Sequence, residues 1–219
     1  MKLFEQLQIT RGITAIIGSG GKTTMLQKLG QELSQTARVV LCTTTKIYPF
    51  SHIPTDDYDA AALEQAFAET NLLCAARPAP MGKLQAPTAA IAELAQAADY
   101  VLVEADGSRG LPLKAHEMHE PVITEGCSQV ILVAGLTGLQ KPIAEVCHRP
   151  ARFAALCGRT EQEPVTPQDL AAVIEKEHLC DRVFLNQQDV SGQAEAVAGF
   201  LHYPVIAGSL QKGEYQCLR

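Results

Sequence analysis

The chain has no run of basic residues, no cysteine pair at CxxC spacing, and no stretch approaching the ~18 consecutive apolar residues that a membrane-spanning helix needs. Its 18 Lys and Arg are scattered among 24 Asp and Glu, for a formal net charge of −6 at pH 7. Nothing in it would follow a phosphate backbone, so no nucleic-acid partner is expected. Cys42, Cys74, Cys127, Cys147, Cys157, Cys180 and Cys217 are dispersed along the chain, which argues against a zinc ribbon or a redox dithiol. The opening Met-Lys-Leu-Phe-Glu-Gln lacks the apolar core of a signal peptide. A cytoplasmic protein with reduced thiols and no membrane partner is therefore expected.

What is present fits a packed globular body: 219 residues, 47% hydrophobic and 19% charged, with a mean hydropathy of +0.03. That length suits a single domain over residues 1–219 with a small excursion at about 48–87. Short apolar runs recur at Ile13–Ile17, Arg38–Cys42, Asn71–Ala75, Tyr100–Val103, Val130–Val133, Val183–Leu185 and Val205–Ala207. Helical spacing fills the intervals, from Lys22 onward and at about 60–70, 88–98, 142–157, 167–177 and 193–202. Alternation of this kind predicts an α/β fold, a mainly parallel sheet covered on both faces. The Pro-, Asp- and Gly-rich stretches 48–59 and 77–87 read as loops flanking a hairpin-like excursion.

Gly18-Ser19-Gly20-Gly21-Lys22-Thr23-Thr24 follows an apolar strand and opens a helix, the context that makes a glycine-rich string a phosphate-binding loop. Glycines let backbone N–H groups converge on an anion, and the helix N-terminus adds unpaired donors. Lys22 would reach the terminal phosphates and Thr23 would take a position on Mg²⁺, with Thr24 supporting the loop. The loop is of a shortened form, because Ile16 stands where the usual P-loop spacing has its first glycine. This predicts a three-layer P-loop NTPase-like fold that binds GTP or ATP.

Glu104 and Asp106 share a face at the end of the Tyr100–Val103 strand. One would serve as metal ligand and the other as water-positioning base; which takes which role stays open. Thr43, Thr44 and Thr45 end another strand, where hydroxyls would meet the γ-phosphate or, at Thr45, the metal. Asn186-Gln187-Gln188-Asp189 follows an apolar strand and is similar to the Asn-Lys-x-Asp element that selects guanine. Asp189 would accept from guanine N1–H and its exocyclic amine, while Asn186 holds the loop. Gln187 replaces the lysine stem, and the base choice tilts toward guanine without excluding adenine. Arg109, Lys114 and His119 lie in a polar stretch after the acidic strand that reads as a substrate loop.

Taken together, GSGGKTT, TTTKIYP, VEADGSRGLPLKAH, HEPVI and LNQQD resemble the YqeC-type family of selenium-dependent molybdenum hydroxylase accessory proteins, also called selenium cofactor biosynthesis proteins. The resemblance spans nearly the whole chain, and the VEADGSRGLPLKAH string is its specific part. It implies a role in maturing a selenium-containing molybdenum hydroxylase, with that enzyme or its cofactor as partner and slow GTP or ATP hydrolysis as activity. The loop and the Thr-rich strand end are also similar to the ATP site of Mur-type peptide ligases. The alternative is therefore a small ATP-dependent transferase or ligase acting on a molecule held by Arg109, Lys114 and His119.

Overall fold

The computed structural model describes residues 1–219. The chain divides into two compact units, one of Met1–Ile16, Thr23–Asp106 and Val122–Gln129, the other of Ile17–Lys22, Gly107–Pro121 and Val130–Arg219. No helix is long and apolar enough to cross a membrane.

The first unit holds most of β1 (Gly12–Gly18), with β2 (Val39–Thr43), β3 (Thr55–Asp56), β4 (Leu72–Ala75), the short strands β5 (Arg77–Ala79) and β6 (Lys83–Gln85), and β7 (Tyr100–Glu104). Five of them lie in the order β1-β7-β2-β4-β3, every pair parallel. Val39, Val40, Leu41, Val101, Leu102 and Val103 are all buried, because strands covered on both faces read as continuous apolar runs. Helices α1 (Leu3–Gln6), α2 (Lys22–Leu33), α3 (Ala60–Ala66) and α4 (Ile91–Ala97) accompany them. On α2 the buried Met25, Leu26, Leu29 and Leu33 form one stripe. Gly30 sits in the same helix because a Cβ there would stand 2.9 Å from Leu41 and 3.0 Å from Leu72.

Within residues 48–87, α3 and β4 fall where the helical spacing and the Asn71–Ala75 run put them, while the stretches read as loops carry strands. Thr55–Asp56 and Leu72–Ala75 are strands of the parallel sheet with α3 between them, and the hairpin is the antiparallel β5–β6 pair itself. The Pro80-Met81-Gly82 segment that suggested a loop is its turn, with Met81 at φ 62° and Gly82 at φ 66°.

The second unit holds β8 (Leu113–Lys114), most of β9 (Cys127–Gly135), β10 (Cys147–His148), β11 (Arg182–Asn186), β12 (Val205–Ser209) and β13 (Glu214–Cys217). The order is β13-β12-β11-β9, parallel except for β13, while β8 and β10 form a separate parallel pair. Its helices are α5 (Ile143–Val146), α6 (Pro150–Cys157), α7 (Pro167–Glu177), α8 (Gln188–Ser191) and α9 (Ala194–Ala198). Helix α7 opens with Thr166 and Asp169 in a capping box and Pro167 in the first turn.

The single helix expected over 142–157 is two, with β10 between them. Pro150 disfavours α geometry in the residue before it, and Arg149 takes a left-handed conformation at φ 67°. The helix expected at 88–98 starts only at Ile91. Ahead of it, Asp57 accepts from the Thr88 amide at 2.7 Å and from its hydroxyl at 2.6 Å. The architecture is α/β with a mainly parallel sheet, consistent with the P-loop NTPase-like fold expected from the motif order.

Candidate functional site

In the second unit the loop from Gly18 to Lys22 is held by its neighbours. The Ser19 amide donates to Val133 O at 2.8 Å, and its hydroxyl donates to Leu111 O. Lys22 is 3% exposed; its ammonium donates to Gly18 O at 2.7 Å and to Ser108 Oγ at 3.2 Å. The loop thus closes around its own lysine. The amides of Gly20 and Gly21 make no hydrogen bond within the chain, leaving two donors ahead of the first turn of α2.

Gly20 has no tolerance for a side chain: at φ +83° a Cβ would come within 2.5 Å of Gly135 and 2.8 Å of Pro112 O. Backbone cannot yield as a flexible side chain can, so Gly20→Ala should destabilise the protein by about 1–3 kcal/mol. Urea unfolding checks this; an unchanged midpoint would refute the packing described.

Asn186, at the end of β11, donates from Nδ2 to Gly20 O at 2.7 Å and accepts from the Leu210 amide at 3.1 Å. Its one side chain ties the glycine loop to the segment after β12. Gln187 is left-handed at φ 66° and turns its side chain to Thr137, whose hydroxyl donates to Oε1 at 2.6 Å. Asp189, with Gln188, Ser209, Glu214 and Tyr215 among its neighbours, lines a cavity of about 230 Å³. Its Oδ2 lies 3.2 Å from Lys212 Nζ. Desolvation pushes its carboxyl up, but hydrogen bonds from Lys212 and Ser209 bring it below the ordinary range, so it is ionised at neutral pH.

The substrate-loop residues separate. Arg109 is exposed at φ 52°, and His119 is exposed. The Lys114 ammonium has no exposed side-chain area; it lies 2.7 Å from both Gly107 O and Glu120 Oε2. His116 is buried against Glu177, with Nδ1 2.7 Å from Oε2, its amide donating to Oε1 at 2.6 Å, and its carbonyl accepting from Arg152.

In the first unit, the Thr23 hydroxyl donates to Glu104 Oε2 at 2.7 Å. Glu104 ends β7, between Ile16 of β1 and Thr43 of β2. Its carbonyl accepts from the Thr43 hydroxyl at 2.9 Å and from the Thr44 amide at 3.1 Å. The Thr45 amide donates back to Thr43 Oγ1 at 3.0 Å, and the buried Thr44 hydroxyl has no hydrogen-bond partner. Asp106 is buried two residues beyond Glu104, and Thr24 points to solvent. No group of three or more His, Cys, Asp or Glu is placed to hold a metal alone. The Thr23 hydroxyl and Glu104 carboxylate, 2.7 Å apart, are hard oxygen donors of the kind Mg²⁺ accepts when phosphates and water supply most of its ligands. Burial pushes the Cys74 thiol up to about 11 and Cys147 up to about 12, so neither is a thiolate nucleophile at neutral pH.

Sequence reading missed Ser108 as the partner of Lys22, and it missed His148 and Arg149, which lie inside the stretch read as one helix. The Arg149-Pro150 junction was the available signal.

A glycine loop between strand and helix, closed on a buried lysine within a mainly parallel sheet, defines a P-loop-like α/β protein. The chain belongs to the YqeC family: the family described as YqeC protein matches residues 14–151. A similar relative from Escherichia coli (strain K12), named "Uncharacterized protein YqeC", is 36% identical over 171 residues, covering 74% of this chain and 67% of the relative. No solved structure matches.

Proposed function

We propose that this YqeC-family protein binds a nucleoside triphosphate at Gly18–Thr24 and hydrolyses it slowly, as an accessory in maturing a selenium-dependent molybdenum hydroxylase. The observation that supports the nucleotide reading is the pair of unclaimed amides at Gly20 and Gly21 in a loop whose Lys22 ammonium folds back to Gly18 O. The maturation role rests on the family resemblance alone.

The Lys22 ammonium donates to Gly18 O, and phosphate oxygens, being charged, are stronger acceptors than that carbonyl. Thr23, Glu104 and Thr45 would hold Mg²⁺, which when bound neutralises charge on the β- and γ-phosphates. Asp106 would orient the attacking water and accept its proton. Asn186 fixes the loop through Gly20 O. The ionised Asp189 would accept from guanine N1–H and the exocyclic amine, a pair adenine does not offer.

A thermal-shift titration with GTP, ATP, GDP and ADP, with and without Mg²⁺, tests the reading. At ligand concentrations about 100 times Kd the native state gains ~2.7 kcal/mol, which for a chain of this size raises Tm by roughly 5–10 °C. GTP with Mg²⁺ should give the largest rise. No rise with any triphosphate would refute nucleotide binding, and a preference for ATP would remove Asp189 from base recognition.

A further inference from the structure

The second unit carries a basic cluster that the nucleotide reading leaves unused. Strands β8 and β10 pair Lys114 with His148, and Arg149 follows directly. Glu120 Oε2 lies 2.7 Å from Lys114 Nζ and 3.0 Å from Arg149 Nη1. Two cations therefore share one carboxylate oxygen. Exposed Arg109, in the loop after β7, adds to the positive charge that Lys114 and Arg149 place on the His148 imidazole, with Glu120 opposing them. Two permanent cations thus converge on a single carboxylate oxygen, in a chain whose net charge is −6.

Two further features mark the cluster. Arg149 Nη1 is shielded from solvent and, although near Glu120, has no aligned hydrogen-bond acceptor. Arg109 and Arg149 are both left-handed, at φ 52° and φ 67°, a conformation costly for side chains of this kind and retained where surroundings impose it. The neighbour of Arg109 is Ser108, which accepts from Lys22, so the loop carrying Arg109 also contacts the glycine loop.

We propose that Arg109, His148 and Arg149 form a seat for the oxyanion group, phosphate or carboxylate, of a small molecule distinct from the nucleotide. Guanidinium groups present paired N–H donors that match either oxyanion. Lys114 lies beneath as fixed charge, held by Gly107 O and Glu120. Burial and the flanking Lys114, Arg149 and Arg109 hold His148 below its ordinary pKa, so the ring is neutral at pH 7 and would gain a proton when an anion enters.

The test is an NMR titration of the full chain carrying Lys22→Ala, which silences the glycine loop. Inorganic phosphate and acetate are added in separate arms, with chloride at matched ionic strength as control. The His148 ring resonances should move saturably with phosphate, acetate or both, beyond the chloride response, and the better probe identifies the group. Arg149→Gln should weaken that response roughly tenfold. Arg109→Asn, a residue tolerant of left-handed backbone, should weaken it as well and is exposed enough to leave folding intact. A response no larger than that of chloride, or one unchanged in Arg109→Asn, would overturn the seat whatever the outcome for nucleotide.

Discussion

Lys22→Ala should abolish the stabilisation that GTP or ATP confers, weakening binding at least ~100-fold. A side-chain ammonium bonded to phosphate oxygens makes charge-assisted hydrogen bonds of roughly 1.5–3 kcal/mol each, and two such bonds exceed the ~2.7 kcal/mol that a hundredfold represents. Lys22 is 3% exposed and already points along its own loop, 2.7 Å from Gly18 O. It would therefore meet the phosphates without being drawn from bulk water. The substitution also strips a donor from Gly18 O and Ser108 Oγ, so the ligand-free Tm should fall by a few degrees. The two effects separate in one experiment: Tm without ligand reports the loop's own bonding, and its increment with nucleotide reports binding. Equal increments in wild type and Lys22→Ala would end the proposal.

The parts of this protein legible in its sequence are those fixed by local pattern. The apolar runs at Val39–Thr43, Tyr100–Glu104 and Arg182–Asn186 are strands because strands buried on both faces need unbroken apolar residues. The capping pair Thr166 and Asp169 with Pro167 fixes the start of α7. Glycine spacing before Lys22 identified a strand-to-helix loop, since few residues other than glycine accept φ +83° against a backbone 2.5 Å away. What stayed hidden depends on distant pairing. Nothing local tells that Asn186 reaches back to Gly20, 166 residues away. His116 and Glu177 are 61 residues apart yet share two hydrogen bonds. Helical spacing over 142–157 was likewise a local signal overruled, because Arg149 and Pro150 break it where β10 must lie beside β8.

Glu120→Gln should cost roughly 3 kcal/mol of stability at neutral pH. That is the low end for breaking a buried ion pair, because Glu120 keeps 18% of its side chain exposed while Lys114 keeps none. The substitution removes the negative charge that Lys114 and Arg149 share at one oxygen. The pH dependence gives the more specific signature. Burial pushes the Glu120 carboxyl up, but the Lys114 hydrogen bond and charge, with Arg149 behind them, bring it below its ordinary value of 4.5. A carboxyl whose pKa is depressed by folding adds stability that is present in full above the unfolded pKa. That stability is lost as pH falls through the folded one. Urea unfolding of both proteins from pH 7 downward should therefore show a gap that holds to about pH 5 and narrows below the ordinary carboxylate pKa. A gap that stays constant through that range would mean that Glu120 acts through packing rather than charge. Because the same variant removes the carboxylate that Lys114 and Arg149 share, phosphate or acetate should restore part of the lost stability in Glu120→Gln. Chloride at equal ionic strength should not. That restoration couples the ion pair to the oxyanion seat, and its absence would leave Glu120 a structural counter-ion alone.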